Sequence, residues 1–329
     1  MTQTAPKVSI LVPIYNTETY LGTCLDSLVG QTLKDIEIIC INDGSTDSSL
    51  DIMRSYAAKD ARVRIIDKQN TGYGDSMNQG LAAARGEYIG IVEPDDFVSK
   101  RAFAAYVKAA ERYGASVVKA NYREHSEGSW RDSLAVVYGQ FSYNEPFCPA
   151  DNPAIVNTTP SIWAGLYRRD FILGQGISFS QTPGASFQDA SFAHQCWIAA
   201  PRVVLLRQGY LHYRTDNQAS SSKSSAKVFQ VCYEYQRTFD FLRNRGQDAY
   251  RAFAPALNAA RWNGYKWNYN RISDDNHLAF AQQWAREMVD AREEGMLDLS
   301  LLPASDAENA QLLMGDAQEF CNRFPDEIA

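Results

Sequence analysis

Along the first 120 residues, short β-rich runs alternate with longer runs whose apolar positions recur at helical spacing. Strands are predicted over 8–12, 36–41, 63–66, 88–92 and 116–120, and four helices fall between them. The first helix, over 18–31, sets Leu21, Leu25 and Leu28 on one face; the third carries Met77, Leu81 and Ala84 and stops at Gly86. Repeated β-α-β units imply right-handed crossovers, so the expected fold class is α/β with a doubly wound, mostly parallel sheet. Ligands in such sheets bind beyond the carboxyl ends of the strands. Three groups of polar residues fall there: 13–16, 42–47 and 93–96.

From 121 to 160 the pattern turns irregular and aromatic, and Pro146, Pro149, Pro153 and Pro160 break any long element. A strand-like run at 202–206 leads into QGYLHYR, followed at 215–225 by a polar stretch with five serines that reads as a mobile loop. After 226 the chain reads as helical, with Phe229, Tyr233, Gln236 and Asp240 marking the period. The expected organisation is a main domain over 1–225, split into a ligand-binding half (1–120) and a pocket-shaping half (121–225), with a helical appendage over 226–329.

Composition narrows the class. A chain of 329 residues with a net charge of −7 has an ordinary soluble make-up and argues against non-specific nucleic-acid binding. No apolar run approaches the roughly 20 residues of a membrane span, and MTQTAPK lacks the features of a signal peptide, so a cytoplasmic location is expected. Cys24, Cys40, Cys148, Cys196, Cys232 and Cys321 form no CxxC pair and read as buried thiols.

The stretch YIGIVEPDDFV ends an apolar strand in Glu93, Asp95 and Asp96. Carboxylates so crowded resist dehydration unless a cation or hydrogen-bond donors compensate. Oxygen ligands suit Mn2+ or Mg2+, shared with substrate phosphates. An acidic turn capping the helix that starts near Ser99 is the other reading. The segment INDGSTDSS likewise reads two ways, as a strand-turn-helix corner built on Gly44 or as a nucleotide site in which Asp43 accepts a hydrogen bond from a base N–H.

In order and spacing, VSILVPIYN, NDGSTD, NTGYGDSMNQGL and EPDD resemble family 2 glycosyltransferases, inverting enzymes of the GT-A fold, here of the bacterial glycan-biosynthesis type. A weaker match runs through SIWAGLYRRDFI, SFQDASF and LHYRTDNQASSS, so the resemblance covers about two-thirds of the chain. It implies that Pro13, Tyr15 and Asp43 hold the nucleotide base with Glu18 nearby, and that Glu93 faces the ribose. Asp95 takes the metal position and Asp96 supports the metal or donor sugar. Asp189 matches the catalytic base. Arg214, with Lys223 or Lys227, closes over the diphosphate. Three departures stand out: Asn42 where Asp is frequent, Glu93 for the first Asp of D-x-D, and Gln188 for the Glu before the base.

The function these features imply is metal-dependent, inverting transfer of a sugar from a nucleotide diphosphate, a UDP-sugar by resemblance, to a hydroxyl of a glycan or lipid-linked glycan. Peripheral contact with the inner face of a membrane would follow from a lipid-linked acceptor. The departures motivate an alternative, a non-catalytic nucleotide-sugar sensor or assembly subunit. A nicotinamide dehydrogenase is disfavoured because PIYNTE stands where GxGxxG would follow the first strand. His194 and His212 lie near the matched motifs and read chiefly as packed side chains, with phosphate or metal contact as the other reading. His125 and His277 carry no signal. RWNGYKWNYNR reads as helical core through Trp262, Tyr265 and Tyr269, or as a membrane or polymer contact that adds Arg261, Lys266 and Arg271. The acidic run 287–298 reads as a solvated helix face.

Overall fold

The computed structural model describes residues 5–217 and 227–324, and the chain divides into two compact units. The first, over described residues 5–149 and 159–217, is built on a ten-stranded sheet. Its opening strands are β1 (Val8–Ile14), β2 (Ile36–Asp43), β3 (Val63–Lys68), β4 (Tyr88–Ile91) and β5 (Phe97–Val98). β6 (Val117–His125), β7 (Ser133–Ala135), β8 (Pro146–Phe147), β9 (Gly165–Arg168) and β10 (Val203–Arg214) complete it. The order is β3-β2-β1-β4-β9-β6-β10-β5, with β7 on β6 and β8 on β10. β1 pairs in parallel with β2 and β4, β2 with β3, and β6 with β10; β9 runs antiparallel between β4 and β6. The doubly wound, mostly parallel sheet is therefore the one predicted.

β1 and β2 are buried along their whole length, as parallel strands covered on both faces must be. The covering helices are α1 (Glu18–Val29), α2 (Ser49–Lys59), α3 (Tyr73–Ala83), α4 (Ala102–Tyr113), α5 (Arg169–Gly174) and α6 (Gln188–Ala199). α1 turns Leu21, Cys24, Leu25 and Leu28 inward, and α4 ends where Gly114 takes a left-handed φ of 60°. Register aligns the strand ends that matter. Leu11 faces Ile91 and Pro13 faces Ile41, so the residues just past β4 rise beside Pro13 and the end of β2.

The second unit comprises 150–158 and described residues 227–324. It contains α7 (Gln230–Arg243), α8 (Gln247–Tyr269), α9 (His277–Glu293), α10 (Ala304–Gly315) and α11 (Ala317–Arg323). Trp262 and Trp284 pack with ring centroids 4.3 Å apart, and Tyr265, Phe280 and Phe320 join the same core. The core reading of Trp262, Tyr265 and Tyr269 holds. Within 150–158, Asn157 Oδ1 accepts from Asn263 Nδ2 of α8 at 2.7 Å.

Three expectations need correction. The period over α7 is helical, but Phe229, Tyr233, Gln236 and Asp240 mark its exposed face; Val231, Cys232, Tyr235, Phe239 and Leu242 are buried. Aromatic side chains occupy both faces, so the pattern had two apolar stripes to follow. Glu287 is not on a solvated face, because its carboxylate pairs with Arg261 at 3.2 Å and accepts from Tyr265 OH. Of the six free thiols, Cys148 and Cys321 are only partly buried.

Candidate active site

The loops leaving β1 and β2 hold each other. Thr46 N donates to Asn16 Oδ1 at 2.7 Å and Asn16 N to Ser45 Oγ at 3.1 Å. Ser48 N donates to Glu18 Oε2 at 2.8 Å, while Glu18 N donates to Asp47 Oδ2 at 2.9 Å. Glu18 thus clamps the two loops together, and Tyr15, half-exposed, stands at the rim above buried Pro13. Asn42 has a local reason. Its amide donates to Asp67 Oδ1 at 2.7 Å and accepts from Ser45 N at 3.1 Å, and a carboxylate there would face Asp67 unpaired.

Asp43 ends β2 buried, with Oδ1 accepting from Thr71 N at 2.9 Å and Oδ2 from Gly72 N at 3.0 Å. Lys68 pairs with the same carboxylate and with Asp75. The chain therefore turns into α3 over Asp43, through Gly72 at φ 98°. The next glycine, Gly74, has no room for a side chain, since a Cβ would sit 1.8 Å from the main-chain oxygen of Ser180. Asn78 fixes the same approach by exchanging two 2.9 Å hydrogen bonds with the main chain of Phe179. Segment 179–187 is thus built onto the start of α3.

Tyr73 donates its hydroxyl to Glu93 Oε1 at 2.7 Å. Burial, with the neighbouring charges of Asp95 and Asp189, pushes the Glu93 carboxyl up to about 8, against the pull of the Tyr73 bond. Past it, Asp96 is 1% exposed; Oδ1 accepts from Arg214 N at 2.8 Å and Oδ2 has no partner among the described residues. Burial, then the charge of Asp95, hold its carboxyl well above the carboxylate range. Asp95 Oδ2 accepts from Asn217 Nδ2 at 2.8 Å. Arg214 lies beneath this turn, with Nε donating to the Asp95 carbonyl at 3.1 Å and its guanidinium over the Tyr20 ring at 4.5 Å.

Asp189 opens α6, just after Phe187 at φ 61°. Burial raises its carboxyl to about 6, opposed by the hydrogen bond from Ala190 N at 2.9 Å. The segment before Asp189 is tied to the acidic turn through Tyr73, whose main-chain N donates to the Gly184 carbonyl at 3.2 Å while its hydroxyl holds Glu93. Gln188 explains itself: its amide nitrogen donates to Thr182 Oγ1 at 2.8 Å and the Gly184 carbonyl at 3.0 Å, and its oxygen accepts from Ser186 N. A glutamate could accept there but not donate.

His212 pairs with Asp132, meets Ser99 Oγ at 3.2 Å and stacks on Phe97 at 4.5 Å; His194 is buried in α6. Lys227 belongs to the second unit, half-buried, its ammonium pushed down by burial and the Arg271 charge. Lys223 lies outside the described residues. Sequence reasoning missed Lys68, Tyr73 and Asn217; NTGYGDSMNQGL drew attention to the second without giving its partner. Among the described residues no three ligand-type side chains converge into a metal cage. The donor set nonetheless fits a hard cation, since Asp96 keeps a buried oxygen with no partner among the described residues, beside the partly buried carboxylate of Asp95. Such cations need only one or two carboxylates when phosphates supply the rest.

A twisted parallel sheet with an acidic turn and a buried carboxylate gathered at its strand ends defines a GT-A class protein. Residues 9–172 match the family model described as glycosyl transferase family 2. The chain is 33% identical over 240 residues to the glycosyltransferase EpsH of Bacillus subtilis, covering 71% of this chain and 69% of that protein. It is 34% identical over 215 residues to the glycosyltransferase EpsJ of the same organism, covering 64% of this chain but only 61% of EpsJ. Staphylococcus aureus TarS 1–349 in complex with UDP-GlcNAc shares the fold at TM-score 0.76 and 20% identity, over 96% of this chain and 89% of that one. A mannosyltransferase from Pyrobaculum calidifontis in complex with GDP-Man and Mn2+ aligns at TM-score 0.55 and 14% identity, over 97% and 86%. The chain belongs to glycosyl transferase family 2.

Proposed function

We propose that this protein transfers a sugar, with inversion, from a UDP-sugar to a hydroxyl of a glycan or lipid-linked glycan, in a divalent-metal-dependent reaction on the cytoplasmic side of a membrane. The observation that carries the reading is Tyr73, whose hydroxyl holds Glu93 at 2.7 Å while its main-chain N donates to the Gly184 carbonyl at 3.2 Å, in the segment that leads into Asp189. Residues 1–120 supply the donor half and the rest of the first unit, 121–149 and 159–217, the acceptor-side half. Pro13, Tyr15 and Asp43 bind the base, for which Asp43 Oδ2, engaged among the described residues by Gly72 N alone, retains an acceptor position. Glu18 braces that loop pair, and Glu93, oriented by Tyr73, faces the ribose. Asp95 would hold the cation with Asp96 beside it, and a bound divalent ion would neutralise charge on the departing diphosphate. Arg214 fixes the turn and adds a positive charge beneath it.

Asp189 accepts the proton of the acceptor hydroxyl as its oxygen attacks the anomeric carbon opposite the diphosphate. The bond from that carbon to the diphosphate oxygen breaks, and the configuration inverts in one step. UDP is favoured over other donors because TarS was crystallised with UDP-GlcNAc at a higher TM-score than the GDP-Man enzyme. The departures at Asn42 and Gln188 have local structural reasons, which weakens the case for a non-catalytic sensor.

The test is thermal stability against nucleoside diphosphates with and without Mn2+, followed by donor turnover. UDP at about 100 times its Kd should add roughly 2.7 kcal/mol, only with Mn2+, and Asp95→Ala should lose the gain. No shift with any nucleotide sinks the donor site. Binding without transfer or donor hydrolysis across a broad panel favours the sensor.

A further inference from the structure

Along β10, the register with β6 breaks twice, between Leu206 and Gly209 and between Gly209 and His212. Beside these irregularities the first unit has a pocket of 640 Å³, lined by Lys100, Arg101, Arg123, Arg207, Leu134 and Tyr210. Four cations and no carboxylate line it. Among the described residues none of the four is ion-paired; Arg123 donates only to the main-chain oxygen of Asp132, at 3.3 Å, and the Asp132 carboxylate is turned to His125 and His212. Four like charges gathered around one pocket repel one another even where water weakens the repulsion, and an anion seated among them would relieve it.

The β6–β7 hairpin beside the pocket exposes apolar side chains among polar ones such as Glu124, Arg131 and Ser133. Leu134 lines the pocket, and Val136, just past β7, is more than half exposed. Trp130 is 87% exposed, with the Arg131 guanidinium over its ring at 5.2 Å. A soluble anion would have use for the cations and none for an exposed tryptophan, leucine and valine. An anionic bilayer surface uses both, with phosphates meeting Lys and Arg while the aromatic and aliphatic groups enter the headgroup boundary. The basic aromatic segment 261–271 is a poorer candidate: Arg261 pairs with Glu287, Lys266 with Asp306, and Trp262 is buried.

We propose that the Lys100–Arg101–Arg123–Arg207 pocket and the Trp130–Leu134–Val136 hairpin together dock this protein on an anionic phospholipid surface. The pocket is near the donor site, because Ser99, on its rim, follows Asp96 by three residues and so lies within about 11 Å along the chain. A surface-bound acceptor would thereby be held within reach of the crevice.

The test is co-sedimentation of the full chain with vesicles of phosphatidylcholine alone or of equimolar phosphatidylcholine and phosphatidylglycerol. Wild type should pellet only with the anionic vesicles, and less at high salt. R123Q/R207Q should weaken partitioning at least about tenfold, and W130S/L134S should weaken it at low salt too. Both double variants should keep the Mn2+-dependent UDP shift, which shows them folded. Vesicle binding by a protein that shows no nucleotide shift would leave this inference standing while the donor reading falls. Absent binding to anionic vesicles, or binding unchanged in both variants, overturns it. So does loss of soluble tripolyphosphate binding in R123Q/R207Q without vesicle binding, which would make the pocket a site for a free anion.

Discussion

Asp189 combines two demands that oppose each other in free energy. To accept a proton it must be ionised at neutral pH, yet burial holds its carboxyl at about 6, above the ordinary range. Below the ordinary carboxylate range it is protonated folded or unfolded, so no cost arises. As pH rises from there through about 6, the folded protein bears the cost of releasing that proton. Asp189→Asn removes this cost and keeps an oxygen for Ala190 N. The variant should be more stable than wild type at neutral pH by up to about 3 kcal/mol, with no gain in acid, as read by urea unfolding at both pH values. It should also lose on the order of 10² to 10⁴ in turnover while binding UDP normally. The wild-type rate should fall as pH drops through about 6. An active Asp189→Asn variant would assign the base elsewhere.

Elements set how precisely that carboxylate is aimed. α6 starts directly after segment 179–187, and that segment rests on α3 through Asn78 and the close approach at Gly74. Gly74→Ala would drive a methyl into the Ser180 carbonyl, and backbone cannot step aside as a flexible side chain can. We expect it to lower the thermal midpoint and cut turnover more than UDP affinity, since the displaced segment leads to Asp189. Equal loss of both would mean that the segment serves the donor instead. Strand and helix positions were legible because apolar period is local. The α7 face was not, because Phe229 and Tyr233 outside mimic Tyr235 and Phe239 inside. The partners of the carboxylates were equally hidden. Tyr73 meets Glu93 and Lys68 meets Asp43 only after strands far apart in sequence align, and Asn42 looks anomalous until Asp67 appears beside it.

At the scale of the molecule, the two units bury separate cores, one on the ten-stranded sheet and one around Trp262 and Trp284. Lys227 excepted, every described residue to which a donor role is assigned lies in the first. A ligand stabilises the amides whose opening would release it, and leaves others to exchange as before. UDP with Mn2+ should therefore slow hydrogen exchange at the amides that turn over Asp43, Thr71 and Gly72, and at Asp96 and Val98 around the acidic turn. The α8 and α9 amides around the tryptophan pair should exchange at unchanged rates. The comparison is informative because Thr71 and Gly72 already bond to Asp43 without ligand, so their added protection measures how often the loop opens in the free protein. Protection that spreads into α8 or α9 would mean that donor binding draws on the second unit, and the donor site would then be larger than the crevice assigned to it.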